Sequence, residues 1–239
     1  MYLTKQNFLI QAKYAGFCEN EAGLEESLLG FGAELYMRSS AIEQYDAGII
    51  KRIRLFIEKN RLPLQLHAPI VPLDYSLYEK VVRLCKELNI NTIVSHREAS
   101  DDVFLWKEIS LLLARSGLRV NLENHCEGYP DSIVELYKRI NLENVGLCID
   151  PGHVNVFGKI GILEWLEKYP QGALREVHLA DNEGDRDTHL PLGRGNIDIK
   201  AVFKALEKRN EKIVFVLEPK KKIEAKESLI FLRKNGFLG

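Results

Sequence analysis

The 239-residue chain predicts an α/β fold, a (β/α)8 barrel occupying residues 1–239 as a single domain. Three observations predict it. Short apolar runs alternate with amphipathic stretches eight times. The polar residues that close successive runs recur at 67, 96, 123, 150 and 178, at intervals of 29, 27, 27 and 28. Side chains within the runs also alternate in character, so each strand has two unlike faces.

The runs are FLIQA, AELYM, LQLHAPI, TIVSH, LRVNLENH, VGLCID, EVHLAD and KIVFVLE. Between them, apolar residues fall at helical spacing: Val81, Leu84, Cys85 and Leu88; Ile133, Leu136, Tyr137 and Ile140; Ile162, Trp165, Leu166 and Tyr169; Ile199, Val202, Phe203 and Leu206. A last helix is expected near Ala225 to Lys234. Eight strand–helix units fit either a closed barrel or an open doubly wound sheet. The even spacing favours the barrel, because it sets the polar strand ends on one rim, where a closed ring makes them converge. Parity agrees. Arg119, Asn121 and Glu123 share one face of their strand, as do Gly146, Cys148 and Asp150 of the next, and Val214, Val216 and Glu218 of the last. The polar end of each strand is therefore expected to face the barrel axis and the apolar set to face the helices.

Composition narrows the setting. With 46% hydrophobic residues the chain has enough apolar surface for a large core, and its net charge of −1 does not point to nucleic acid or an anionic membrane. No run of about 18 apolar residues is present, and the first residues lack the pattern of a signal peptide. Cys18, Cys85, Cys126 and Cys148 form no C-x-x-C pair. A reduced, cytoplasmic setting without membrane partners is expected.

The rim carries the chemistry. His67, His96, Glu123, Asp150, His178 and Glu218 end strands, His153 follows Asp150 by three residues, and Asp187 and His189 stand two apart in the segment HLADNEGDRDTHLPLGRG. An extended backbone there would aim the last two the same way. Taken singly, a strand-end His or Asp is an ordinary capping residue, and Asp150-Pro-Gly is an ordinary turn starter. Asp181 and Asp185 read as loop acids facing water, and Asp198 as a helix N-cap. Taken together, four carboxylates on one axis would repel one another and titrate upward without a cation. Oxygen and imidazole donors suit Zn²⁺ or Mn²⁺, and also Fe²⁺ or Mg²⁺. One divalent ion would leave two negative charges uncompensated, so the charge balance favours more than one ion; one to three are expected.

The motifs LHAP, VSH, LEN, IDPGH, VHLADN, DTHLPLGRGNID and LEP, in this order, resemble those of the xylose-isomerase-like TIM barrel superfamily. That group includes sugar-phosphate isomerases and epimerases and the endonuclease IV type of apurinic/apyrimidinic endonuclease, AP endonuclease family 2. In the isomerase branch the resemblance implies one metal on Glu123, Asp150, His178 and Glu218, with His153 touching substrate. In the endonuclease branch it implies three Zn²⁺ held by all nine positions. VSHRE departs from the His followed by Pro–Gly of many relatives.

Two functions remain open at this level. The first is a metal-dependent isomerase or epimerase of a small sugar or sugar phosphate. There Glu123 and Glu218 move a proton through an enediolate, His153 and His178 orient oxygens, and Arg194 meets a phosphate. The second is multi-zinc phosphodiester hydrolysis at abasic DNA sites, with nucleic acid as partner. A metal- or sugar-binding barrel without catalysis would not need paired acids beside its ion.

Overall fold

A computed structural model of the chain describes residues 3, 7–13, 30–44, 46–69, 72–218 and 220–239. All eight apolar runs are strands: β1 (Phe8–Lys13), β2 (Gly32–Tyr36), β3 (Leu64–His67), β4 (Thr92–His96), β5 (Arg119–Glu123), β6 (Val145–Ile149), β7 (Leu174–Leu179) and β8 (Val214–Leu217). They pair in chain order, every pair parallel, and β8 pairs with β1 to close the ring. The described helices are α1 (Ser39–Glu43), α2 (Ala47–Asn60), α3 (Tyr75–Leu88), α4 (Val103–Arg115), α5 (Asp131–Ile140), α6 (Pro151–Phe157), α7 (Ile162–Lys168), α8 (Ile199–Arg209) and α9 (Lys222–Lys234). Among the described residues no helix is long and apolar enough to cross a membrane.

Aspartates start many of these helices. Asp46, Asp74, Asp102, Asp150 and Asp198 each accept backbone N–H bonds from the first turn of the helix they precede. Asp198 therefore caps α8 as its position predicts. Helix ends turn through left-handed residues, among them Asn89, Asn141 and Asn210.

Strand parity divides the interior. Val120, Leu122, Val145, Leu147, Ile149, Val177, Phe215 and Leu217 join the apolar shell between barrel and helices. The opposite parity fills the barrel, and there the side chains are unusually polar: Glu34, Gln65, Asn121, Glu176 and His178 are all 5% exposed or less. Barrel interiors are ordinarily packed with bulky branched residues. Here Gln65 donates to both Glu34 and Glu176, and Asn121 donates to Glu176 at 2.7 Å. The register shifts where β6 meets β7, pairing Leu147 with Leu174 but Cys148 with Glu176. This extra residue lets Leu174 join the shell while Glu176 and His178 keep the inward parity.

Candidate metal centre

Each strand delivers its donor at the C-terminal end. On β3, His67 Nδ1 lies 2.9 Å from the Ala68 carbonyl, which can only accept, so Nδ1 carries the proton and Nε2 faces Glu123 Oε2 at 3.1 Å. On β4, His96 Nε2 lies 3.2 Å from the same oxygen. The other Glu123 oxygen, Oε1, lies 3.1 Å from His178 Nδ1, and Glu218 Oε1 is 3.2 Å from that nitrogen. Glu123 thus stands between two donor groups, one oxygen turned to each.

Asp150 divides its carboxylate in the same way. Oδ1 caps α6 through Gly152 N at 2.6 Å and His153 N at 3.2 Å, while Oδ2 is buried and makes no hydrogen bond. The turn-starting and ligand-type readings of Asp150 are therefore compatible, one oxygen serving each. Asn124 holds Asp150 in place, accepting from its N–H at 2.8 Å.

His153 Nδ1 donates to the Asn124 carbonyl at 2.8 Å, which leaves Nε2 directed at Asp187 Oδ2, 3.6 Å away. His189 Nδ1 lies 3.1 Å from the Glu218 carbonyl, and its Nε2 meets Asp187 Oδ2 at 2.8 Å. Although His153 Nδ1 is also close to Asp150 and Glu123, its bond to a carbonyl removes that nitrogen as an ion donor. His153 thus belongs with Asp187 and His189. Donor atoms lie within 4.8 Å of one another in His67, His96 and Glu123, in Glu123, Asp150 and His153, and in Glu34, His67, His178 and Glu218, while Asp187 Oδ2 lies 3.6 Å from His153 and 2.8 Å from His189.

Asp187 and His189 sit on the segment after β7, whose fold differs from expectation in two respects. His189 adopts a left-handed φ of 50°, so Asp187 and His189 meet across a turn rather than along an extended chain. Asp181 does not face water; it is fully buried and accepts from Asn182, Gly193 and Ile197 N–H groups at 3.0, 2.9 and 3.2 Å. The segment folds back so that Asp181 and Leu190 pair antiparallel, and the inward N–H groups need an acceptor. Gly195 passes so close to Asp181 and Asn182 that a Cβ would collide with both. Asp185 is exposed, as expected.

The structure does not bring Arg194 to the cluster. Its side chain is 68% exposed and paired with Glu227 at 3.2 Å. Lys220 instead lines the cavity of about 170 Å³ above the donors, with Gln11, Tyr36 and His125 among the other walls. His125, outside the expected set, stacks on His96 at 4.9 Å and crosses His153 at 4.7 Å. Glu34 also escaped the sequence reading. A carboxylate in mid-strand at the parity of Tyr36 was the available signal.

The site crowds carboxylates against imidazoles. Burial works against the charged form of Glu123, but His178 and His96 outweigh it and hold that carboxyl well below the usual range. Glu218 is lowered in the same way, burial being overcome by His178. Asp150 is pushed up to about 6 by burial and by Glu218, Glu123 and Asp187, against the pull of His153. Burial opposes the charged forms of His178 and His153, but Cys148 with Glu123, Glu34 and Glu218 raises the first, and Asp150 with Asp187 and Glu123 the second, well above the ordinary imidazole value. Burial likewise opposes His189, and Asp187 is the main partner that raises it to about 9. The same potential favours a divalent cation. Buried donor atoms without hydrogen bonds support the fit: Asp150 Oδ2, both His178 nitrogens and Asp187 Oδ1. All are oxygen or imidazole nitrogen, the donor set of zinc and manganese.

Comparison with known proteins bears on this arrangement. Residues 30–235 match the family described as xylose isomerase-like TIM barrel. An uncharacterized protein of Methanocaldococcus jannaschii, MJ1311, is 27% identical, the match covering 77% of this chain and 74% of that one. Among solved structures, a D-tagatose 3-epimerase-like protein superposes with a TM-score of 0.77 at 22% identity, covering 95% of this chain and 96% of the other. The TTHB071 protein of Thermus thermophilus, soaked with ZnCl2, does so with a TM-score of 0.73 at 24% identity, covering 96% and 97%. These two likenesses show the shared fold.

Proposed function

Since the chain belongs to the xylose isomerase-like TIM barrel family, we propose that it is a divalent-metal-dependent isomerase or epimerase of a small sugar or sugar phosphate. One observation carries this reading: two ionised carboxylates from separate strands, Glu123 and Glu218, close on His178 Nδ1 at the floor of a small cavity. The resemblance to a D-tagatose 3-epimerase-like protein supports the substrate class. Glu123, Asp150, His178 and Glu218 would hold the catalytic ion, which when bound supplies Lewis acidity to neighbouring hydroxyl and carbonyl oxygens and so acidifies the C–H between them.

The chain's own groups do the rest. Glu123 and Glu218 have lowered pKa values, so each is ready at neutral pH to accept a proton from carbon. In an epimerisation one carboxylate would remove the proton from carbon, the other would take a proton from solvent and deliver it to the opposite face, and the first would return its proton to solvent, which resets both. His153 Nε2 orients a substrate oxygen. His178 is fully buried and serves the ion rather than the sugar. Lys220 on the cavity wall, in place of Arg194, is the cation placed to meet a phosphate. The buried free thiols of Cys85 and Cys148 suit a reducing cytoplasm.

The test is turnover of a panel of ketoses and their phosphates, D-tagatose included, by zinc- or manganese-loaded protein, with solvent deuterium entering the product. Glu123→Gln is expected to reduce turnover by at least a hundredfold; activity within tenfold of the unsubstituted protein overturns the proton-transfer role.

A second reading, multi-zinc phosphodiester hydrolysis at abasic DNA, is favoured by a separate observation. All nine expected donors gather at one mouth, more than a single ion needs. Elemental analysis decides between them. About one ion per chain supports the isomerase, whereas about three, with chelator-sensitive cutting of a duplex bearing one abasic analogue, supports hydrolysis.

A further inference from the structure

We propose that Glu34 is the positioning residue of this centre: from inside the barrel its carboxylate faces His178 Nε2 at ion-pair distance and so keeps Nδ1 turned toward Glu123 and Glu218. The inference rests on the reading of His178 as a ligand given above, and it adds a residue outside the nine.

The geometry is one-sided. His178 is fully buried, with Nδ1 3.1 and 3.2 Å from Glu123 and Glu218 on the cavity side. Its Nε2 looks the other way, into the barrel, 3.5 Å from Glu34 Oε2 and 3.4 Å from Glu176 Oε1. An imidazole whose one nitrogen binds an ion must carry its proton on the other, and a buried N–H needs an acceptor. A carboxylate in that place fixes both tautomer and ring orientation.

Of the two carboxylates, Glu34 is the better placed. It is fully buried, and amides hold both of its oxygens: Gln65 donates to Oε2 at 2.7 Å and Gln11 to Oε1 at 3.2 Å. The Gln11 amide also donates to Glu218 Oε1 at 2.5 Å. Glu34 therefore approaches two members of one donor group from below, His178 at 3.5 Å and Glu218 through the Gln11 amide that donates to both carboxylates. Glu176 has no such link to Glu218; its remaining bonds run to Gln65 and Asn121. The competing role for Glu34 is direct ligation, because Glu34, His67, His178 and Glu218 offer donor atoms within 4.8 Å of one another.

The test compares the full chain with Glu34→Gln, which keeps an acceptor oxygen, and Glu34→Leu, which removes it. Zinc affinity is measured by competition with a chelating indicator, ion content by elemental analysis at saturation, and the His178 ring by nitrogen-15 NMR; melting of the metal-free proteins monitors folding. Affinity is expected to fall roughly tenfold in Glu34→Gln and towards a hundredfold in Glu34→Leu. Ion content at saturation stays unchanged, and Glu34→Leu shows a mixture of His178 tautomers where the unsubstituted protein shows Nδ1 bound. A purely structural residue would shift melting without this graded order or the NMR change. Affinity within twofold of the unsubstituted protein in both variants overturns the proposal, as does the loss of one ion at saturation, which would make Glu34 a ligand. If Glu34→Leu does not fold, Glu34→Gln alone decides by the same affinity criterion. Failure here leaves zinc uptake and Glu123-dependent turnover of the unsubstituted protein intact. A chain that takes up no ion overturns this proposal together with the function it rests on.

Discussion

The floor of the site and its outer lip are built from the same residue types on different supports. Glu123, Asp150, His178 and Glu218 stand at strand ends and are 5% exposed or less. Asp187 and His189 sit on the loop after β7, their side chains 25% and 21% exposed. At the floor, backbone hydrogen bonds of the barrel fix each Cα, and capping or amide contacts fix the side chains. At the lip, placement depends on Asp181 holding the loop by three N–H bonds and on Gly195 allowing close approach. The contrast teaches that the floor is preorganised for binding by the fold itself, whereas the lip is an attachment whose loss the barrel can survive.

Four outcomes would sharpen or break that contrast. Asp150→Asn should reduce turnover by a hundredfold or more, because Oδ2 loses its charge. Melting should shift by only a few degrees, because an asparagine oxygen still caps α6. A large loss of melting temperature would mean that the cap dominates and the floor is not separately functional. Asp187→Asn should weaken any ion bound at the lip by roughly tenfold in a zinc titration and leave isomerase turnover within tenfold; equal damage from both substitutions would erase the distinction between floor and lip.

The third outcome concerns pH. His189 titrates at about 9 in the metal-free protein, so a proton competes with the ion for Nε2 below that value. Zinc affinity at the lip should rise about tenfold per pH unit up to about 9 and then flatten. A folded-state value raised from 6.5 also means that this group's contribution to metal-free stability is complete below 6.5 and is lost as pH climbs through about 9. Melting of chelator-treated protein at pH 7 and pH 10 measures the second effect, and a lip affinity independent of pH would contradict the first. The smallest effect is expected from Asp181→Asn, which exchanges an acceptor oxygen for a donor facing backbone N–H groups. It should cost about 1 kcal/mol in denaturant unfolding and weaken any ion bound at the lip before one bound at the floor.

Much of this was legible in the chain. Period-2 alternation ending in a polar residue identified the inward face of β5, β6 and β8, since the pleat allows no other choice once the shell is apolar. His125 was harder to read. It lies two residues past Glu123, beyond the strand, where parity no longer predicts direction, yet it stacks on His96 and meets His153 edge-on. Arg194 illustrates the opposite failure. A cation between two glycines in a ligand-bearing segment suggested a phosphate contact, but the Arg194 side chain is exposed and pairs with Glu227 of α9 instead. Asp181 resembled its exposed neighbour Asp185 because composition cannot distinguish a loop acid that solvates from one that collects N–H bonds.

By itself the sequence determined the barrel, the rim and the set of ion-binding residue types, because hydrophobic periodicity and strand-end polarity are local properties repeated eight times. Only the tertiary structure decided how those donors group, which nitrogen of each histidine faces the site, and that Glu34 and Gln11 lie beneath it. Those features depend on contacts between strands distant in the chain, where a single carbonyl such as that of Asn124 settles which ring atom remains available.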